Sequence, residues 1–174
     1  LNQVPPAELE RIFGEAYAAE VIPGAALRSL SIEGRDDPEA PLVLRYAVET
    51  RSLGRRAAAR LFVPMLFARS FTRAYAALPS RTTTQLVSGL HEDVVMRFHG
   101  TAGQALVPRD VHIGGPSGAS YDLASRSAGD VTIVERRVRI RPTLVRVERY
   151  RELAAFCRRA TEAEGEEVGL PLRP

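Results

Sequence analysis

Short runs in which every second residue is apolar recur along this chain at roughly ten-residue spacing, separated by Gly, Pro, Ser and Asp. Strict alternation is the signature of a strand with one buried face and one wet face. In "LVLRYAVET", Leu42, Leu44, Tyr46 and Val48 alternate with Arg45 and Glu49. In "EDVVMRFHG", Val94, Met96 and Phe98 point one way, and Asp93, Val95, Arg97 and His99 the other. "DVTIVERRVRI" puts Val134, Val138 and Ile140 inside, with Arg137, Arg139 and Arg141 outside. Many short antiparallel strands with turn signals between them predict a β-sandwich.

Three segments break the period of two. "PPAELERIFGEAYAAE" carries Leu9, Ile12, Phe13, Tyr17 and Ala18 on a helical stripe, which predicts a leading helix over 5–20. "MLFARSFTRAYAALPSR" places Leu66, Phe67, Phe71, Tyr75 and Leu78 close to one side and predicts a middle helix. From Val147 to 163 the apolar stripe Tyr150, Leu153, Ala154, Cys157 and Ala160 predicts a closing helix. The expected fold is therefore mainly β, an antiparallel β-sandwich of immunoglobulin-like architecture with N-terminal, middle and C-terminal flanking helices. At 174 residues the chain suits a single domain over 1–174. It begins at Leu1 without an initiating Met, as a piece of a longer protein would. No apolar run approaches a membrane span, and within these residues no basic stretch is followed by the apolar run of a signal peptide, although such a signal could lie upstream of a fragment.

Every basic residue is Arg, and 24 of them face 21 Asp and Glu for a net charge of +3. Arg is the better phosphate ligand. A nucleic-acid surface, however, segregates its cations and interleaves aromatics for stacking. Here acids alternate with the Arg residues, aromatics are 6% and Trp is absent, so no nucleic-acid partner is expected.

Catalytic arrangements are also missing from the pattern. The single cysteine, Cys157, falls among apolar helix positions, where a thiol behaves as a small hydrophobe. His91, His99 and His112 show no metal-ligand spacing. His91 and His99 lie eight positions apart on one strand, about 26 Å, and only His99 and His112 retain the option of meeting across adjacent strands. "GGPSGAS" suggests a nucleophile elbow, but Ala119 replaces the last Gly and a strand follows, so a hairpin turn is expected. The expectation is no catalytic residue, no metal and no cofactor.

Taken in order, "VIPGAALRSLSIEGRDDPEAPLVLRYAVET", "LFVPMLFARSFTRAYAALPSRTTTQLVSGLHEDVVMRF" and "GDVTIVERRVRIRPTLVRVERYRELAAFCRRA" resemble the C-terminal β-sandwich module of bacterial transglutaminase-like proteins. The carrying features are the Pro23-Gly24-Ala25 turn before paired strands, and the closing helix with Val147, Tyr150, Leu153 and Phe156. "SGLHED" departs from that pattern. The resemblance implies a domain of unknown function that follows a cysteine-protease-like catalytic core, in exported proteins of the periplasm or cell exterior. The partner it implies is that upstream domain, or the domain's protein substrate. A stand-alone peptide- or glycan-binding sandwich is the alternative. The candidate interaction surface comprises Leu9, Ile12, Phe13 and Tyr17 of the leading helix, with Arg97, Arg137 and Arg139 of the outer sheet face.

Overall fold

The computed structural model describes residues 5–14, 22, 24–34, 37, 39–99 and 104–172. They form a mainly β protein with antiparallel sheets and a helix near the start, in the middle and near the end. The chain divides into two compact units, Leu1–Arg55 and Arg56–Pro174.

The first unit holds helix α1 (Pro6–Ile12) and the strands β1 (Ala26–Glu33) and β2 (Val43–Glu49). β1 and β2 pair antiparallel, as their alternation predicts, with Leu30 opposite Tyr46 and Ile32 opposite Leu44, and with a register shift between Leu27 and Ser29. Arg28 pairs with Glu49, and Arg45 with Glu33, on the exposed side. Two strands cannot bury a face by themselves. Tyr46 and Val48 are accordingly half-buried, and Leu42 and Leu44 remain exposed. The Phe13 ring meets Tyr46 edge-on with centroids 4.9 Å apart.

The second unit is built on a four-stranded sheet. Its strands are β6 (Leu90–His99), β7 (Val111–Gly114), β8 (Ser120–Ala128) and β9 (Val131–Ile140), in the order β6-β9-β8-β7. Smaller sheets complete it. β3 (Arg55–Ala57), β4 (Arg60–Pro64) and β11 (Glu167–Pro171) form one, and β5 (Gln85–Val87) pairs with β10 (Thr143–Val145). Helix α2 (Phe71–Tyr75) begins at Ser70, whose hydroxyl accepts the Arg73 N–H at 3.2 Å. Helix α3 (Tyr150–Glu164) follows a 3-10 turn and ends at Gly165.

One cluster forms the core of this unit. The sheet contributes Met96, Ile113, Tyr121, Leu123, Val134, Val138 and Ile140, and α3 contributes Leu153, Phe156, Cys157 and Ala160. Apolar residues three and four apart give α3 a continuous stripe, while Arg151, Arg158 and Arg159 face water. Gly115, at the turn from β7 to β8, lets the helix close in: a Cβ there would lie 2.7 Å from the Phe156 ring.

Several expectations need correction. The middle helix covers only Phe71–Tyr75, because Phe67 takes a left-handed φ of 61° and the preceding segment is not helical. The leading helix forms as expected over α1, and residues 15–20 of its expected span lie outside the described residues. Two short strands, β10 and β11, went unanticipated around the closing helix. The β1–β2 residues belong to the first unit and do not join the core cluster of β6 and β9.

Candidate functional site

β9 separates two chemically different faces. Its even-numbered residues Thr132, Val134, Arg136, Val138 and Ile140 are all buried. Its odd-numbered residues line the outer face, which is built from register upward. Asp93 of β6 and Asp122 of β8 both stand opposite Arg137, and His112 of β7 stands opposite Asp122. The outer face thus carries a row of alternating charge, His112–Asp122–Arg137–Asp93, straight across the sheet. The His112 Nδ1 lies 2.5 Å from the Asp122 carboxylate, and Arg137 Nε donates to Asp93 at 3.1 Å. Arg139 reaches diagonally to both Asp93 oxygens, at 3.0 and 2.8 Å. Two residues from Arg137 along β9, Glu135 pairs with Arg126 of β8 at 2.8 Å.

Asp93 is the centre of this lattice. A hydrogen bond from Arg139 is the main cause that holds its carboxyl below the usual carboxylate range; burial opposes it, and a hydrogen bond from Arg137 and the charges of both arginines add to the lowering. Beside it, where Ala124 leaves room between larger neighbours, lies a depression of about 130 Å³ bordered by Asp93, Val95, Asp122, Glu135 and Arg137. Cofactor and drug-sized pockets run to roughly 300 Å³ and more. The depression has the size for a protruding side chain.

The inner face holds a different charge cluster. The Arg136 side chain is fully buried and donates to Glu164 at 2.7 and 2.9 Å, to Glu92 at 2.6 Å and to the Phe67 carbonyl at 3.0 Å. Glu164, in the last turn of α3, also accepts the Arg69 N–H at 3.2 Å. Burial pushes the Glu164 carboxyl up, with Arg136 pulling the other way. Tyr121 lies beside Glu164 without reaching hydrogen-bond geometry, and burial raises its hydroxyl as well. The left-handed Phe67 aims its carbonyl at Arg136, so the guanidinium bond offsets a strained backbone. This cluster ties β6, β9, α3 and the segment before α2 together.

The expected surface residues fall into two groups. Arg97 and Arg137 are exposed, and Arg139 is half-exposed, all on the outer sheet face. The helix residues do not form an open stripe: Leu9 is buried, Phe13 packs on Tyr46, and Ile12 is exposed at 42%. Tyr17 lies outside the described residues. Asp93 and Arg136 are the residues that sequence reasoning missed. Parity with Val134 and Val138 already placed Arg136 inside, whereas the role of Asp93 needed the strand register.

Cys157 is completely buried, and burial pushes its thiol up to about 11. The Pro116–Gly118 turn connects β7 to β8, so Ser117 sits in a hairpin as expected. His99 and His112 lie on the two opposite edge strands of the sheet and do not meet. Among the described residues no group of three or more His, Cys, Asp or Glu side chains is placed to hold a metal ion, and no helix is long and apolar enough to cross a membrane. Comparison with protein-family models, curated proteins and solved structures finds no match to this chain.

Proposed function

We propose that this chain is a non-catalytic interaction module, and that the outer face of β6, β9 and β8 meets a protein partner. That partner is a transglutaminase-like catalytic domain of a longer chain, or the domain's protein substrate. The carrying observation is the charge lattice centred on Asp93, mounted on a sheet whose other face is sealed by α3. Such a face offers fixed charges of both signs and a side-chain-sized depression, which suits protein recognition. Its Arg residues are largely engaged by carboxylates, and this favours a protein over a phosphate backbone. Cys157 supports an accessory role, because a buried thiol held at about 11 is not a ready nucleophile.

Hydrogen exchange on this chain with and without the transglutaminase-like domain tests the reading. Protection should rise across β6, β9 and β8 when the domain is present. Unchanged exchange on all three strands overturns it.

A further inference from the structure

The two edges of the four-stranded sheet are managed differently. β7 is four residues long and runs at once into the Pro116 turn, so it offers little to a neighbouring strand. β6 is ten residues long, contains no Pro, and pairs with β9 at every position from Leu90 to His99 without a register shift. Edge strands are normally blunted by shortness, Pro or bulges, because an open row of N–H and C=O groups recruits another strand. Among the described residues no backbone group outside β9 is bonded to β6. The hydrophobic layer also thins there. Leu90, Val94 and Phe98 are only half-buried, against 0% exposure for Val134 and Val138 on β9, and Val95 is 46% exposed on the outer face.

We propose that β6 pairs with β6 of a second copy of this chain, antiparallel about Val95, joining two sheets into one. Charge selects that partner and that register. Facing residues must share a side of the sheet, which restricts the two-fold centre to a residue of β6. Centring on Asp93 opposes it to itself. Centring on Val94 sets His91 against Arg97, and centring on Met96 sets Asp93 against His99 but leaves Arg97 against Val95. Centring on Val95 places Asp93 opposite Arg97 twice, with the exposed Val95 side chains meeting on the axis and Val94 opposite Met96; His91 then faces His99, and Glu92, held by Arg136 of its own sheet, faces Phe98.

Both partners in the charge pair are ready for it. Arg97 has no carboxylate partner among the described residues. A carboxylate offers about four acceptor positions; Asp93 has three hydrogen bonds, from Arg137 and Arg139, and His91 Nε2 lies 3.6 Å away, beyond hydrogen-bond distance. Opposite charges directly across an antiparallel pair are favourable, and a two-fold axis uses the contact twice.

Sedimentation velocity over roughly 1–100 µM chain tests this, a range in which an interface of modest affinity is visible. The chain should sediment as a dimer toward the upper concentrations. Arg97→Glu sets like charges across both contacts, and Val95→Lys sets two cations on the axis. Each should weaken association about tenfold or more while the melting curve stays close to that of the parent. Arg97→Glu mixed with Asp93→Arg should restore a heterodimer, since opposite charges then face each other at both contacts. If Asp93→Arg fails to fold, Val95→Lys and Arg97→Glu decide the matter without it. A chain that stays monomeric at all concentrations overturns the proposal, as does a dimer that both variants leave intact. An extended peptide that protects β6 from exchange on a chain that remains monomeric would also overturn it.

Discussion

Arg136 and Arg137 are neighbours on β9 and sit in opposite worlds. Arg136 is fully buried among Glu164, Glu92 and the Phe67 carbonyl, while the Arg137 side chain is 64% exposed and holds one Asp93 oxygen in water. The same chemical group is therefore structural on one face and adjustable on the other. In the core a guanidinium must be matched by carboxylates and carbonyls, because an unpaired buried charge is strongly destabilising. On the surface, water supplies what the partner does not, and an ion pair contributes at most about 1 kcal/mol. A sheet with one face fixed and one face free to vary is well arranged to carry a recognition surface.

The comparison breaks most visibly at Arg136. Arg136→Ala leaves Glu164 buried with its charge uncompensated and should cost about 3–5 kcal/mol, read from urea unfolding. Combining Arg136→Met with Glu164→Leu should recover much of the loss, because an apolar pair replaces the ion pair. If the double variant is no more stable than Arg136→Ala, the cluster is not the coupled unit described.

The next effect tests how tightly α3 seals the inner face. Gly115→Ala drives a methyl group to 2.7 Å from the Phe156 ring, and overpacking of this kind costs about 1–3 kcal/mol. A neutral result would mean that α3 can move away from the β7–β8 turn.

Cys157→Ala removes a small buried side chain and should cost on the order of 1 kcal/mol at neutral pH. The folded thiol holds its proton up to about 11, above its ordinary 9.0, so raising pH through that window ionises the unfolded state first. The parent loses stability over that interval. The alanine variant lacks this slope, so the gap between the two should narrow from pH 9 upward in urea titrations.

The outer face gives the smallest stability change. Arg137→Ala should lie within about 1 kcal/mol of the parent, since the pair is exposed and Arg139 still holds Asp93. Asp93 works in the opposite pH direction to Cys157. Its folded carboxyl is held below the ordinary value of 3.8, so its contribution is present above that value and fades as pH falls below it. Asp93→Asn should flatten that part of the acid limb.

How much of this was legible in the sequence follows from what alternation can encode. Period two correctly sent Val94, Met96 and Phe98 inward and Asp93, Arg97 and His99 outward. The mainly β fold followed from the same signal, and the helical regions from the three segments that break it. Alternation says which residues share a face, but not what covers that face. Leu42, Leu44, Tyr46 and Val48 do share a side, yet two strands in the first unit supply too little material to bury them. Arg136 was overlooked because charge is expected in water, although its parity pointed inward. Its carboxylates come from 44 and 28 positions away, and no local pattern brings Glu92 and Glu164 to it. Asp93 escaped for the same reason, since it becomes a centre only when β6 lies beside β9. β10 and β11 are three and five residues long, too short for a period to show.

β9 has a sealed ionic inner face and an open outer one, and the arginine side chains report this directly. Nitrogen-edited NMR resolves guanidinium Nε–H groups by their exchange with water. The Arg136 Nε–H is buried and should exchange slowly, with a resolved, persistent signal at neutral pH, while those of Arg137 and Arg139 should exchange much faster. Equal, rapid exchange at all three would place Arg136 in water and contradict the division between the two faces.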